Sequence, residues 1–155
     1  MSSIVYHVSR WRILLEEEGE ALFRIRCLGP GEELPACAIG DTPLLREACL
    51  QLDAYFSGRL QRFDLPVVAK GTAFQQKVWE ALRGIDYGAV KSYGYIAREI
   101  GSPRAFRAVG MACGRNPVLF VIPCHRVVGA GGLGGFACGL ELKKYLLELE
   151  KSFLI

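Results

Sequence analysis

The chain has 155 residues and a mass of 17.1 kDa, which suits one domain or two small ones. With 51% hydrophobic and 23% charged residues it has a globular composition rather than a disordered one. Its longest apolar run, Val118–Ile122, is far shorter than the ~20 residues of a membrane span, and the first residues carry no signal-peptide pattern, so neither membrane insertion nor secretion is expected.

The net charge of +3 is unevenly spread. Residues 1–66 hold 7 Lys+Arg against 10 Asp+Glu, and residues 67–155 hold 12 against 6. Within 91–126, Lys91, Arg98, Arg104, Arg107, Arg115 and Arg126 face Glu99 alone. A localised basic block fits a polyanionic partner, although a solvated basic face would look the same.

In chain order, Ile4–Val8, Arg12–Glu17 and Ala21–Leu28 read as strands, the last two joined by a hairpin turn at Glu18-Gly19-Glu20. Gly29-Pro30-Gly31 and Leu34-Pro35 mark a loop. Asp41-Thr42-Pro43 opens a helix with a cap and a first-turn proline, and Leu45, Ala48, Cys49, Leu52, Tyr55 and Phe56 form its apolar stripe. Arg59–Ala69 reads as a connector. A boundary near residue 66 divides a strand-rich α/β part, 1–66, from a mainly helical part, 67–155.

In the second part Thr72 caps a helix striped by Phe74, Val78, Ala81, Leu82 and Ile85. Ser92 caps a short helix that Gly101 stops, and Ser102-Pro103 is expected to start the next helix at once. Two short helices around a tight turn match a helix-turn-helix. On a wheel of about 100° per residue, Arg104, Arg107, Ala108, Met111 and Arg115 share one face, with Phe106, Val109, Gly110 and Cys113 opposite. Arginines over small residues can approach a nucleic-acid groove and insert a side chain. A transcription regulator would show the same pattern. The last helix is expected over about 139–151, with Leu142, Leu146 and Leu149 inward.

The six cysteines, Cys27, Cys37, Cys49, Cys113, Cys124 and Cys138, include no C-x-x-C pair, and only His7 and His125 could add imidazoles, so no metal site is expected. Reduced thiols are the default without a secretion signal. Cys27, Cys37 and Cys49 are expected to pack, as is Trp79, with His7 on the surface. Cys124 differs: Pro123 precedes it, and His125 and Arg126 follow, two cations that would favour a thiolate. On a regular strand Cys124 and His125 would point apart, so either the chain turns there or a water bridges them. Glu150 is the candidate to orient His125, and Asn116 to hold the turn. A thiol hydrolase and a plain core segment are the competing readings.

Ile122-Pro123-Cys124-His125-Arg126-Val127, with Phe74-Gln75, Val78-Trp79, Ser92-Tyr93, Arg107-Ala108-Val109-Gly110 and Asn116-Pro117 upstream in order, resembles the O6-alkylguanine-DNA alkyltransferase family over about residues 70–151. The resemblance implies an N-terminal ribonuclease-H-like α/β domain and a C-terminal domain with a winged-helix-like helix-turn-helix. It implies single-use repair without a cofactor, by a monomer, on double-stranded DNA containing alkylated guanine, in the cytoplasm or wherever the genomic DNA lies. Arg107 would fill the space of a flipped base and Tyr93 would help rotate the nucleotide, with Arg104, Ala108, Met111 and Arg115 along the groove. Tyr93, Cys113, Val127, Phe136 and Ala137 would line the base pocket. Cys124 would take the alkyl group, His125 with Glu150 would take the thiol proton through water, and Asn116 would support the turn. Phe106, Phe136, Ala137 and Cys138 depart from the family's usual residues. A relative that binds lesions without reacting would lack Cys124.

Overall fold

The computed structural model describes residues 1–34 and 40–154; the readings for Pro35 and Cys37 lie outside them. Three antiparallel strands, β1 (Ser2–Val8), β2 (Trp11–Glu18) and β3 (Ala21–Cys27), form a meander in the order β1-β2-β3. The β2–β3 turn needs left-handed backbone, which Gly19 and Glu20 adopt. Leu15, Leu22 and Ile25 point into the core while His7 faces solvent. Helix α1 (Pro43–Phe56) starts where Thr42 accepts the Leu45 amide, and it buries Leu45, Ala48, Leu52 and Tyr55. Cys49 on α1 is half-buried and free.

The second half holds α2 (Ala73–Arg83), β4 (Lys91–Ser92), α3 (Tyr93–Glu99), α4 (Phe106–Gly114), β5 (Val127–Val128) and α5 (Leu140–Ser152). Thr72 and Gln75 close a reciprocal capping box on α2, and Ser92 caps α3 through the Tyr95 amide. The buried Trp79 donates its indole N–H to the Ala112 carbonyl at 2.9 Å, fixing α2 against α4. β4 and β5 pair in parallel over two residues each.

The two halves share one core, running from Ile13 and Leu15 through Val78 and Val118 to Leu146. They also exchange backbone hydrogen bonds. Leu22 N–H donates to Pro66 O and Val68 N–H to Leu22 O, both at 2.9 Å. Ile25 N–H donates to Pro117 O at 2.8 Å, and Leu119 N–H to Ile25 O at 3.2 Å. The strand-rich half thus anchors the segment that leads to Cys124.

Two expectations are corrected here. Ser102-Pro103 does not begin a helix: Ala105 N–H returns to Ser102 O at 2.9 Å, closing a turn, and α4 starts at Phe106 without a side-chain cap. Pro103 takes the second position of that turn, where its fixed φ fits as well as in a first helical turn. Arg104 is therefore exposed on the turn and not on the helix, and Phe106, expected inward, is 47% exposed at the helix start. Second, Cys27 and Cys138 form a disulfide across 111 residues of sequence, so the expectation of reduced thiols fails at this pair.

Candidate active site

Asn116 builds the turn before Cys124. Its side-chain N–H donates to Ile122 O at 2.7 Å, and its Oδ1 accepts from Val118 N–H at 2.9 Å. Between them Phe120 adopts φ 69°, a conformation costly for a bulky residue. Cys124–Arg126 then form one 3-10 turn, so the chain turns where a strand would have separated Cys124 from His125.

His125 and Arg126 converge on Glu150 of α5. His125 Nε2 lies 2.7 Å from Glu150 Oε2. Arg126 donates through Nε to Oε1 at 2.8 Å and through Nη2 to Oε2 at 3.0 Å. Tyr55 of α1 donates to Oε2 at 2.6 Å, and Gly88 N–H to Oε1 at 3.1 Å. Burial works to raise the Glu150 pKa, but the bonds from His125 and Arg126 outweigh it and hold the carboxyl at about 2. Burial lowers the His125 pKa against the pull of Glu150. A carboxylate can only accept, so a neutral imidazole facing it carries its proton on Nε2. The lone pair then sits on Nδ1, which is buried without a hydrogen-bond partner.

Cys124 is 4% exposed and opens on a cavity of about 590 Å³, within the ~300–1,000 Å³ usual for small-molecule sites. Tyr93, Gly110 and Cys113 form one side, Gly135, Phe136 and Ala137 another, and Phe106, Arg107 and Met111 stand at its α4 rim. Burial pushes the Cys124 thiol up to about 11, despite a hydrogen bond with Asn116 and the charge of Lys143, which both favour the thiolate. The expected lowering by His125 and Arg126 is thus corrected: Arg126 is committed to Glu150 and Ile85 O, and His125 is neutral. Burial likewise pushes Cys113 to about 12 and raises Tyr93. The Tyr93 hydroxyl accepts from Gly135 N–H at 3.3 Å, leaving its own proton to be donated.

Of the residues expected to line the pocket, Tyr93, Cys113, Phe136 and Ala137 line this cavity, whereas Val127 is fully buried and outside its lining. Val127 instead offers its carbonyl to Lys143 Nζ at 2.6 Å, since its strand pairs it with Lys91. Of the expected nucleic-acid face, Arg107, Ala108, Met111 and Arg115 are exposed together along and just beyond α4, with Arg104 on the preceding turn, while Val109, Ala112 and Cys113 are buried behind.

Two site residues escaped sequence reasoning. Lys143 is fully buried; besides Val127 it holds Gly135 O at 2.9 Å, bracing the cavity wall. Its position seven residues before Glu150, on the same helix face, was the available signal. Tyr55 looked like one more apolar stripe residue, and nothing in the sequence marks where its hydroxyl goes. A second cavity of about 350 Å³ lies behind Pro123 and Arg126, between Arg62 and Arg83; the sulfur lines the first. Among the described residues no three His, Cys, Asp or Glu gather as a metal site, and no helix is long and apolar enough to cross a membrane.

Comparison with known proteins bears on the family. Residues 1–69 match the model for the 6-O-methylguanine DNA methyltransferase ribonuclease-like domain, and residues 73–152 that for the DNA binding domain. A methylated-DNA–protein-cysteine methyltransferase of Methanosarcina barkeri is 52% identical over 123 residues, covering 79% of this chain and 78% of its own. The crystal structure of Mycobacterium tuberculosis O6-methylguanine methyltransferase superposes with a TM-score of 0.89 at 42% identity, over 99% of this chain and 94% of that one. A structure of M. tuberculosis OGT in complex with DNA gives the same figures, TM-score 0.89 and 42% identity over 99% and 94% of the two chains. The two family models together span nearly the whole chain, and with a relative 52% identical over 79% of it the chain belongs to the 6-O-methylguanine DNA methyltransferase family.

Proposed function

We propose that the protein repairs DNA by moving the alkyl group of an O6-alkylguanine, chiefly O6-methylguanine, onto Cys124. The observation that carries this is that Cys124 lines the same cavity as Arg107 of the exposed α4 face. The acting species is a monomer on double-stranded DNA, wherever the genomic DNA lies. We take residues 1–66 as a ribonuclease-H-like α/β domain and 67–155 as the domain of DNA contact and transfer, with α3 and α4 as a winged-helix-like helix-turn-helix.

Arg104, Ala108, Met111 and Arg115 lie against the groove, and Arg107 fills the stack where the base leaves it. Extrusion costs a few kcal/mol and is cheapest for a damaged, weakly paired base, so it contributes to selectivity. The base enters the cavity that Tyr93, Cys113 and the 135–137 wall line together. A thiol pushed to about 11 is almost wholly protonated at neutral pH, so proton removal accompanies attack. His125 Nδ1 takes the proton through a water while Glu150 holds the ring and supports the imidazolium. The S–C bond forms as the C–O6 bond breaks, the Tyr93 hydroxyl and backbone N–H groups of the wall support the developing oxyanion, and the thiol's proton is returned to the guanine. The thioether does not revert, so each molecule reacts once.

Intact mass after incubation with an O6-methylguanine oligonucleotide tests this. The expected result is a gain of one methylene equivalent, absent in Cys124→Ala. Folded protein that stays at its starting mass overturns the reading, and turnover of an ester or sequence-specific binding of undamaged DNA would replace it.

A further inference from the structure

The geometry points to Tyr55, supplied by α1 of the strand-rich half, as a positioning residue for the transfer reaction: through Glu150 it sets how strongly His125 holds a proton. The inference rests on the proposed role of His125 as the acceptor of the thiol proton.

Tyr55 is fully buried, and its hydroxyl donates to Glu150 Oε2 at 2.6 Å. That oxygen is the one His125 Nε2 meets at 2.7 Å, and the hydroxyl itself stands 3.5 Å from Nε2. Tyr55 and His125 therefore share one carboxylate oxygen, with Arg126 Nη2 as its third donor. A donor on Oε2 withdraws charge from it and weakens its hold on an imidazolium. The remaining neighbours are fixed: Arg126 and Gly88 N–H on the carboxylate, Lys143 of α5 acting on the ring from the thiol side, and Tyr87, whose hydroxyl is buried without a partner. The Tyr55 ring packs among Phe56, Phe63, Tyr87 and Phe120, with centroids 5.2–6.4 Å away. Those contacts would suit a phenylalanine equally. Burying a hydroxyl is costly unless it is bonded, and here its bonding is to the base's own partner. The N-terminal half thereby contributes to the chemistry as well as to the core.

The sign follows. Without the hydroxyl, Oε2 carries more negative charge, the imidazolium is favoured, and His125 becomes neutral only at a higher pH. In full-length Tyr55→Phe, single-turnover methyl transfer from an O6-methylguanine oligonucleotide should show its acid limb displaced upward by about half a pH unit or more. NMR titration of the His125 ring should move with it. Site-specific 3-fluorotyrosine at position 55 keeps the shape and strengthens the donor, so it should move both downward. Tyr87→Phe, which removes a hydroxyl that bonds nothing, should leave the limb in place. Opposite displacements by the two Tyr55 changes support the role. A limb and an imidazole titration that stay put in both, whatever happens to the rate or the melting temperature, overturn it and leave Tyr55 as packing. A full rate with no acid limb in His125→Ala would instead sink the His125 mechanism, a separate and distinguishable failure.

Discussion

Around Glu150 the polar groups are buried and, apart from the waiting Nδ1 of His125 and the Tyr87 hydroxyl, hydrogen-bonded; along α4, Arg107, Met111 and Phe106 stand in solvent. The first region is determined by its own contacts, because an uncompensated charge inside a core is expensive. In the second, the back of α4 is held by the core, and its exposed Arg107 guanidinium stands 5.9 Å from the Phe106 ring. Chemistry and recognition are therefore separable under the proposed function: the turn that carries Cys124 is organised by its own contacts, while the helix proposed to meet the duplex would complete its contacts there.

The sharpest way to break this contrast is Glu150→Gln. It leaves Arg126 buried without its counter-charge and should cost about 3–5 kcal/mol in denaturant unfolding, with transfer nearly abolished. A loss no greater than that of a surface change would mean the cluster is not the rigid region. Acid should act in the same direction. The folded pKa of Glu150, about 2, lies below its unfolded value, so its stabilisation is complete above the usual carboxylate range and is lost as pH falls through the folded value. His125 is also held below its ordinary pKa, so the unfolded chain binds its proton first and stability begins to decline below about pH 6.5. A thermal-unfolding series from pH 8 to 3 that shows no fall would contradict both assignments.

The Cys27–Cys138 bond comes next. Cys27→Ser should cost about 2–4 kcal/mol of stability, read from the urea midpoint under non-reducing conditions. An unchanged midpoint would show that the bond constrains nothing that the shared core does not. Arg107→Ala, on the other side of the comparison, should leave the midpoint within about 0.5 kcal/mol. It should slow repair in duplex DNA about tenfold or more, equivalent to about 1.4 kcal/mol in the barrier, while reaction with free O6-benzylguanine is spared. Equal losses on the two substrates would remove the case for base extrusion. The smallest effect is an absence of one. With a thiol near 11 coupled to a neutral His125, the transfer rate should be flat between pH 7 and 9. A reaction that drew only on free thiolate would climb about tenfold per unit.

Much of this was readable from local chemistry. Thr42, Thr72 and Ser92 announced their helices because each side-chain cap acts within one turn. Cys124 and His125 stood out by residue type and Glu150 was a candidate partner, their joint roles coming from the family resemblance; the structure brings His125 and Glu150 together. Ser102-Pro103 misled because a cap followed by proline describes a β-turn as well as a helix start, and the wheel inherited that error at Phe106 and Arg104. The disulfide was not readable: 111 residues separate its cysteines and no spacing pattern relates them. Tyr55 and Lys143 have long apolar bodies that suit a helix stripe, so their polar tips are invisible until a partner is placed opposite them. The shift of the Cys124 thiol was misjudged for a related reason: neighbouring cations count only if they are not already paired, and burial is not a property of a tetrapeptide.

The outer side of β3 has one further effect. Its amides and carbonyls at Leu22 and Ile25 are taken by Pro66, Val68, Pro117 and Leu119 from elsewhere in the chain, so at these positions the edge is already occupied and cannot recruit a foreign strand. Cutting the chain between its halves would uncover that margin together with the apolar face beside it. Fragments should consequently clump or find each other again, whereas the intact chain occupies that margin itself.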